Sequence, residues 1–176
     1  MARESMTSII AFVRGLLSVS EADFSDDDIQ TALDTTRRFY KYLPLRAVPT
    51  LAHNGPTQYF EYLASDDYWE DGYALTDSDY TALSDTGSEP LLGVFRFTSS
   101  QDPPLFLSGH AYDAYTAAAL VAERWAARLS LDFDFSTDGG SYSRSQKASA
   151  LRATAADLRA QGKPAVMAML RDDENG

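Results

Sequence analysis

Apolar positions recur at helical spacing in four stretches and alternate in two-residue steps between the second and third of them. From Met6 to Leu17, Ile9 or Ile10, Val13 and Leu17 share one face, so the spacing predicts a first helix with Gly15 as its weak point. Ser25 is placed to cap a second helix, and Asp26, Asp27 and Asp28 fall in its first turn, where the helix dipole favours negative charge. Ile29, Leu33 and Tyr40 form its stripe, and Arg37, Arg38 and Lys41 suit its C-terminal end. Pro44 and Pro49 then stop it and start an extended segment.

From Thr57 to Leu107 short alternating runs (TQYFEYLA, DGYALTD, PLLGVFRF, PPLFLSG) are separated by Asp, Gly, Ser and Pro, the pattern of strands and turns. In VFRF, Val94 and Arg96 point one way while Phe95 and Phe97 point the other. Asp77 to Glu89 reads as a loop or one helical turn, and Pro103 and Pro104 suit an edge strand or its entry.

A long helix is expected from Ser108 or Gly109 to about Leu131, with Tyr112, Tyr115, Ala119, Ala122, Ala126 and Leu129 on one stripe. Its alanines allow close approach, and it is apolar nearly all round, so it belongs either deep in a core or at a contact with another subunit. LDFDFS buries one face, Asp138 to Gly140 turns the chain, and Ser141 or Ser143 caps a fourth helix. That helix carries the stripe Ala148, Leu151, Ala155 and Leu158 and ends at Gly162 and Pro164. The third and fourth helices form a hairpin around which the chain is organised. The fold expected is mainly α: a four-helix bundle-like subunit with a β-strand insertion (57–107) between the second and third helices. The whole chain, 1–176, is a single domain, with 164–176 as a C-terminal arm.

Composition narrows the function. The chain has no cysteine, which removes disulfides and thiolate metal sites. The N-terminal apolar run is short and broken by Arg14, so it reads as an amphipathic helix and not as a signal peptide. No run approaches the length of about 18 apolar residues that spans a bilayer. A net charge of −11 argues against a sequence-independent grip on nucleic acid. Its distribution is uneven. Between Ala47 and Phe95 stand nine acidic residues (Glu61, Asp66, Asp67, Glu70, Asp71, Asp77, Asp79, Asp85 and Glu89) and no Lys or Arg. From Ser141 to Lys163 the basic residues Arg144, Lys147, Arg152, Arg159 and Lys163 face only Asp157. Two such blocks can complement each other head to tail between copies, although each can also be an ordinary solvated face.

Candidate chemistry is sparse. His53 and His110 lack partners at metal-ligand spacing, so no metal or cofactor is expected. Gly139 to Ser143 falls short of a nucleophile elbow, and no phosphate-cradling loop is present. Asp132, Asp134, Ser136 and Asp138 resemble the opening of a calcium loop, but Thr137 replaces its glycine and Ser143 its bidentate glutamate. The run Asp66, Asp67, Tyr68, Trp69, Glu70, Asp71, Tyr73 places carboxylates beside aromatics, as a hydrolase using Asp67 and Glu70 would. Adjacent carboxylates are more often a solvated turn.

Three segments, Ser25–Leu45, Tyr112–Trp125 and Asp132–Gln146, resemble the head-to-tail connector (adaptor) proteins of long-tailed phages and prophages, a similarity extending from about Ala11 to Ala160. The resemblance implies a non-enzymatic virion protein of the neck, made in the host bacterial cytoplasm. It implies a homo-oligomeric ring, commonly dodecameric, that docks beneath the portal, extends the DNA channel and presents a surface to the next neck or tail protein. Packaged DNA would pass an acidic wall without sequence-specific binding. On that reading Tyr115, Leu120, Trp125 and Arg128 contribute to the ring or bundle. Asp66, Asp67 and Glu70 meet Arg144, Lys147 and Arg152 across subunits. The apolar Val166, Met167, Met169 and Leu170 dock on the portal, an assignment resting on position and composition. Another neck component, a stopper or tail terminator, is the alternative, and a carboxylate-dependent hydrolase the competing class.

Overall fold

The computed structural model describes residues 2–51, 55–130, 135–137, 140–142 and 144–162, with backbone alone between 131 and 144. His53, the arm residues Val166, Met167, Met169 and Leu170, the calcium-like Asp132, Asp134 and Asp138, and the proposed cap Ser143 lie outside them.

The described residues include four α-helices: α1 (Thr7–Leu17), α2 (Asp26–Asp34), α3 (Ala114–Ser130) and α4 (Arg144–Gln161). Helix α1 buries Ile9, Ile10 and Val13. Ser25 and Asp28 cap α2 reciprocally, the Ser25 hydroxyl accepting from the Asp28 amide at 3.2 Å while the Asp28 carboxylate accepts from the Ser25 amide. Helices α3 and α4 form the expected hairpin and share the most extensive contact in the chain. A short antiparallel hairpin, β8 (Phe135–Thr137) with β9 (Gly140–Tyr142), joins them. Ser141 is therefore a strand residue and not the cap of α4. The stripe of α4 buries Ala148, Ala155 and Leu158. Together α1, α2, α3 and α4 enclose a helical core that includes Phe24, Ile29, Leu33, Ala118 and Val121.

The β structure is larger than the sequence implied, and the mainly helical expectation is overturned. Among the described residues seven strands form two antiparallel sheets: β1 (Arg38–Pro44), β2 (Arg46–Thr50), β3 (Gln58–Leu63), β4 (Ala74–Thr76), β5 (Ala82–Leu83), β6 (Val94–Arg96) and β7 (Phe106–Ala111). One sheet has the order β1-β7-β4-β5 and the other β2-β3-β6. Leu75 and Leu107 from the first meet Tyr62 and Phe95 from the second in a separate hydrophobic core, with Trp69 between. The fold is a mixed α and β structure with one core of each kind, and the strands are no mere insertion.

Two boundaries explain the difference. The second helix stops at Asp34 because the Thr35 and Thr36 hydroxyls donate back to the carbonyls of Ala32 and Leu33. Arg38, Tyr40 and Lys41 then belong to β1, not to a helix end. The long helix starts at Ala114, where Asp113 accepts from the Thr116 amide at 2.9 Å and from its hydroxyl at 2.7 Å. Ser108 and Gly109 lie in β7, a central strand, so the two prolines before it mark a strand entry and not an edge. At Leu45 the chain passes from one sheet to the other, anchored by the Leu45 amide on the Leu105 carbonyl at 2.9 Å. Strands that change sheets in this way close the corner of a two-sheet unit. Phe95 and Phe97 are buried on one side of β6, as the alternation predicts. The segment around Asp77 is a turn, its carboxylate accepting from the amides of Asp79 and Thr81.

Candidate functional site

The densest polar cluster lies where the two cores meet. Glu70, 8 % exposed, follows the fully buried Trp69 and bridges to β7 through its own amide, which donates to the His110 carbonyl at 2.9 Å. Its Oε1 accepts from the Ser5 hydroxyl at 2.6 Å and from Arg3 Nε at 3.1 Å. Its Oε2 accepts from the Tyr112 hydroxyl at 2.6 Å. The same guanidinium reaches the Tyr112 oxygen at 3.0 Å and Asp34 Oδ1 at 2.6 Å. On the far side, His110 Nδ1 stands 3.8 Å from Glu70 and 3.2 Å from a nitrogen of Arg37. Residues before α1, between the sheets and before α3 are thus tied together by one carboxylate, and Arg3 extends the network to the end of α2.

The electrostatics suit a structural role. Burial works to raise the Glu70 pKa, but the hydrogen bonds from Ser5 and Tyr112 and the charge of Arg3 outweigh it and leave the carboxyl below its ordinary value. A general acid needs the opposite shift. Burial, and then the neighbouring carboxylate, hold Tyr112 neutral far above the usual tyrosine range. Burial, followed by the Arg37 charge, lowers the His110 pKa below 6.5, against the pull of Glu70.

These shifts predict the acid limb of stability. A histidine whose folded pKa is depressed stabilises fully above about pH 6.5, and the contribution is lost as the unfolded chain takes up its proton below that. Glu70, also depressed, contributes fully above about pH 4.5 and loses that contribution as pH falls through its lower folded value. Stability should therefore decline in two stages. Substituting His110→Gln is expected to flatten the first stage and leave the second, as read from urea midpoints across the range.

The other candidate residues are largely engaged within the chain. Tyr115 packs edge-on against Phe12 and Tyr68 at ring distances of 6.1 and 6.0 Å. Leu120 packs on the helical core. Trp125 meets Phe24 at 6.2 Å and carries the Lys147 ammonium 4.5 Å from its ring centre. Arg128 lies over Phe24 and donates to the Asp23 carbonyl at 3.2 Å. Arg152 is exposed on α4, Asp66 and Asp67 are half-buried, and the Arg144 side chain is outside the described residues. Acidic and basic residues also pair inside the subunit: Arg159 with Glu123, and Arg96 with both Glu61 and Glu89. The partners of Glu70 that sequence reasoning missed, Arg3 and Ser5, are 67 and 65 residues away along the chain, with no local pattern to join them.

A second feature escaped the sequence reading altogether. Tyr42 and Tyr80 both adopt left-handed backbone conformations, φ 56° and 62°. Their rings meet at 4.8 Å, Tyr80 stacks on Phe106 at 5.9 Å, and the two tyrosines are 42 % and 60 % exposed. Such a conformation costs on the order of 1–3 kcal/mol for a residue with a side chain. The cost is met here to hold two aromatic rings together in water.

Among the described residues no group of three or more His, Asp or Glu is arranged to hold a metal ion, and no helix is long and apolar enough to cross a membrane. Comparison of the chain with protein-family models, with curated proteins and with solved structures finds no match.

Proposed function

We propose that the chain is a structural assembly subunit, the head-to-tail adaptor of a phage neck, which forms a ring beneath the portal, extends the DNA channel and offers its outer face to the next neck or tail protein. The observation that carries this reading is the strained, exposed pair Tyr42 and Tyr80 with its neighbour Phe106. Strained backbone and exposed contiguous aromatics both mark surfaces kept for contact, and tyrosine is favoured at the energetic centres of interfaces. The acidic surface supports passage of DNA without adhesion. The arm residues Val166, Met167, Met169 and Leu170 are the proposed portal contact. The two sheets also favour a second reading, a stopper or tail terminator, since those neck proteins are expected to be rich in β structure.

Mass measurement and negative-stain imaging of the purified protein, alone and with its cognate portal, test the proposal. A ring, alone or seated on the portal, is expected. Binding only to a preformed portal–adaptor complex would favour the second reading, and a monomer indifferent to both would overturn both. Replacing Tyr42 and Tyr80 by Ser should weaken assembly at least about tenfold with little loss of fold stability.

A further inference from the structure

The four-stranded sheet ends in two open edges, β1 and β5, with β7 and β4 between them. The Leu45 amide donates to the Leu105 carbonyl, and the Glu70 amide reaches the His110 carbonyl from the side away from β1. Odd-numbered residues of β7 therefore bond toward β1 and even-numbered ones toward β4. Phe39 stands opposite His110 in the register, so its own N–H and C=O point out of the sheet, and Lys41 follows two residues on. At the other edge the Asp77 amide donates to the Thr81 carbonyl at 3.0 Å. That turns Thr81 and Leu83 toward β4 and leaves the backbone groups of Ala82 and Ser84 pointing out. We propose that β1 of one copy pairs with β5 of the next, so that the sheet runs on from subunit to subunit. The inference rests on the ring reading and names its interface.

Three observations select a second copy as the partner. The first is direction. All neighbouring strands are antiparallel and the sheet has four of them, so its two edges run in opposite senses. A copy set beside the first in the same orientation brings β1 antiparallel against β5. The second is register. Phe39 opposite Ser84, with Lys41 opposite Ala82, engages the outward groups of both edges at once and sets Arg38 opposite Asp85. The third is charge. Residues 37–46 hold Arg37, Arg38, Lys41 and Arg46 and no carboxylate, whereas residues 77–85 hold Asp77, Asp79 and Asp85 and no cation. Among the described residues no ion pair holds Arg38, Lys41, Arg46 or Asp79, and Asp85 accepts from the neutral Tyr73 hydroxyl, which leaves its charge uncompensated. Two β1 edges together would crowd Arg38 and Lys41 against their own kind, so each edge repels itself and accepts the other. Such a contact is heterologous, the kind that closes into rings.

Within one chain Phe39 and Ser84 lie at opposite edges of the sheet, roughly 14 Å apart at the usual strand spacing and too far for a disulfide. The chain has no cysteine, so in the full-length Phe39→Cys, Ser84→Cys variant any disulfide links two copies. Mild oxidation, alone and on the cognate portal, is read by non-reducing electrophoresis and by imaging. A ladder of linked chains is expected, formed at least about tenfold faster than the dimers of either single variant. Rings without the ladder would overturn this interface and leave the ring reading standing. A ladder without rings would support the interface and count against closure, and neither ring nor ladder would overturn both. A second measurement needs no cysteine: Lys41→Glu or Ala82→Lys alone should weaken self-association at least about tenfold, and the two together should restore it. No recovery in the double variant would also overturn the proposal.

Discussion

Glu70→Ala is expected to lower the unfolding free energy by about 3–5 kcal/mol, because it takes the acceptor from the Tyr112 and Ser5 hydroxyls at the junction of the two cores and removes a charge-assisted bond from Arg3, which keeps Asp34. The change is measurable as a fall in urea midpoint at neutral pH. Glu70→Gln should do less harm, since the amide keeps one acceptor and the two hydroxyls can rotate, but it forfeits one of the two carboxylate charges that face Arg3. Tyr112→Phe isolates a single hydrogen bond to that carboxylate and should cost about 1.5–3 kcal/mol. A double-mutant cycle between positions 70 and 112 would report strong coupling. Equal stability of Glu70→Ala and the parent would show that the network contributes nothing. Adjacent carboxylates in sequence read as a solvated turn; the burial of the Glu70 carboxylate among Arg3, Ser5 and Tyr112 reverses that expectation.

Trp69→Ala should be about as severe, also about 3–5 kcal/mol, through loss of the largest fully buried side chain and the cavity left between the sheets. Trp69 packs on Tyr40 at 5.4 Å, and its indole N–H donates to the Asp66 carbonyl at 2.8 Å. Trp69→Phe keeps much of the volume and loses that hydrogen bond, so a smaller penalty separates packing from polarity. Because the helical core contains none of these contacts, the alanine variant should lose near-UV dichroism from the sheets before far-UV helix signal disappears. Simultaneous loss of both signals would show that the two cores unfold as one.

The helices were legible where periodicity and end chemistry agreed, as in the reciprocal Ser25–Asp28 cap and the α3–α4 hairpin. Strand β1 was not, because Tyr40 falls seven residues after Leu33 and the basic Arg37, Arg38 and Lys41 imitate a helix C-terminus. Local hydroxyl bonds from Thr35 and Thr36 decided the matter instead. Gly109 misled in a similar way. It reads as a helix start, yet it sits in β7 where a Cβ would come within 3.1 Å of Tyr73, a close approach that explains a glycine inside a strand. Glu70 stood out by residue type, but its role depends on partners that only the tertiary fold supplies. The tyrosine pair was invisible for the same reason, since neither Tyr42 nor Tyr80 sits in a sequence that demands a left-handed turn.

The Arg3 clamp also sets an order of events during synthesis. Arg3 emerges from the ribosome 109 residues before Tyr112, its most distant partner in the network. At ordinary translation speeds that is a wait of roughly 5–20 s, during which the guanidinium stays hydrated and the first helix has little to pack against. Glu70 arrives part-way, but its second oxygen has no hydroxyl to meet until the approach to α3 has left the exit tunnel. The clamp therefore closes only when β7, the strand that joins β1 to β4, has emerged with it, so the sheet and the clamp are completed by the same stretch of chain.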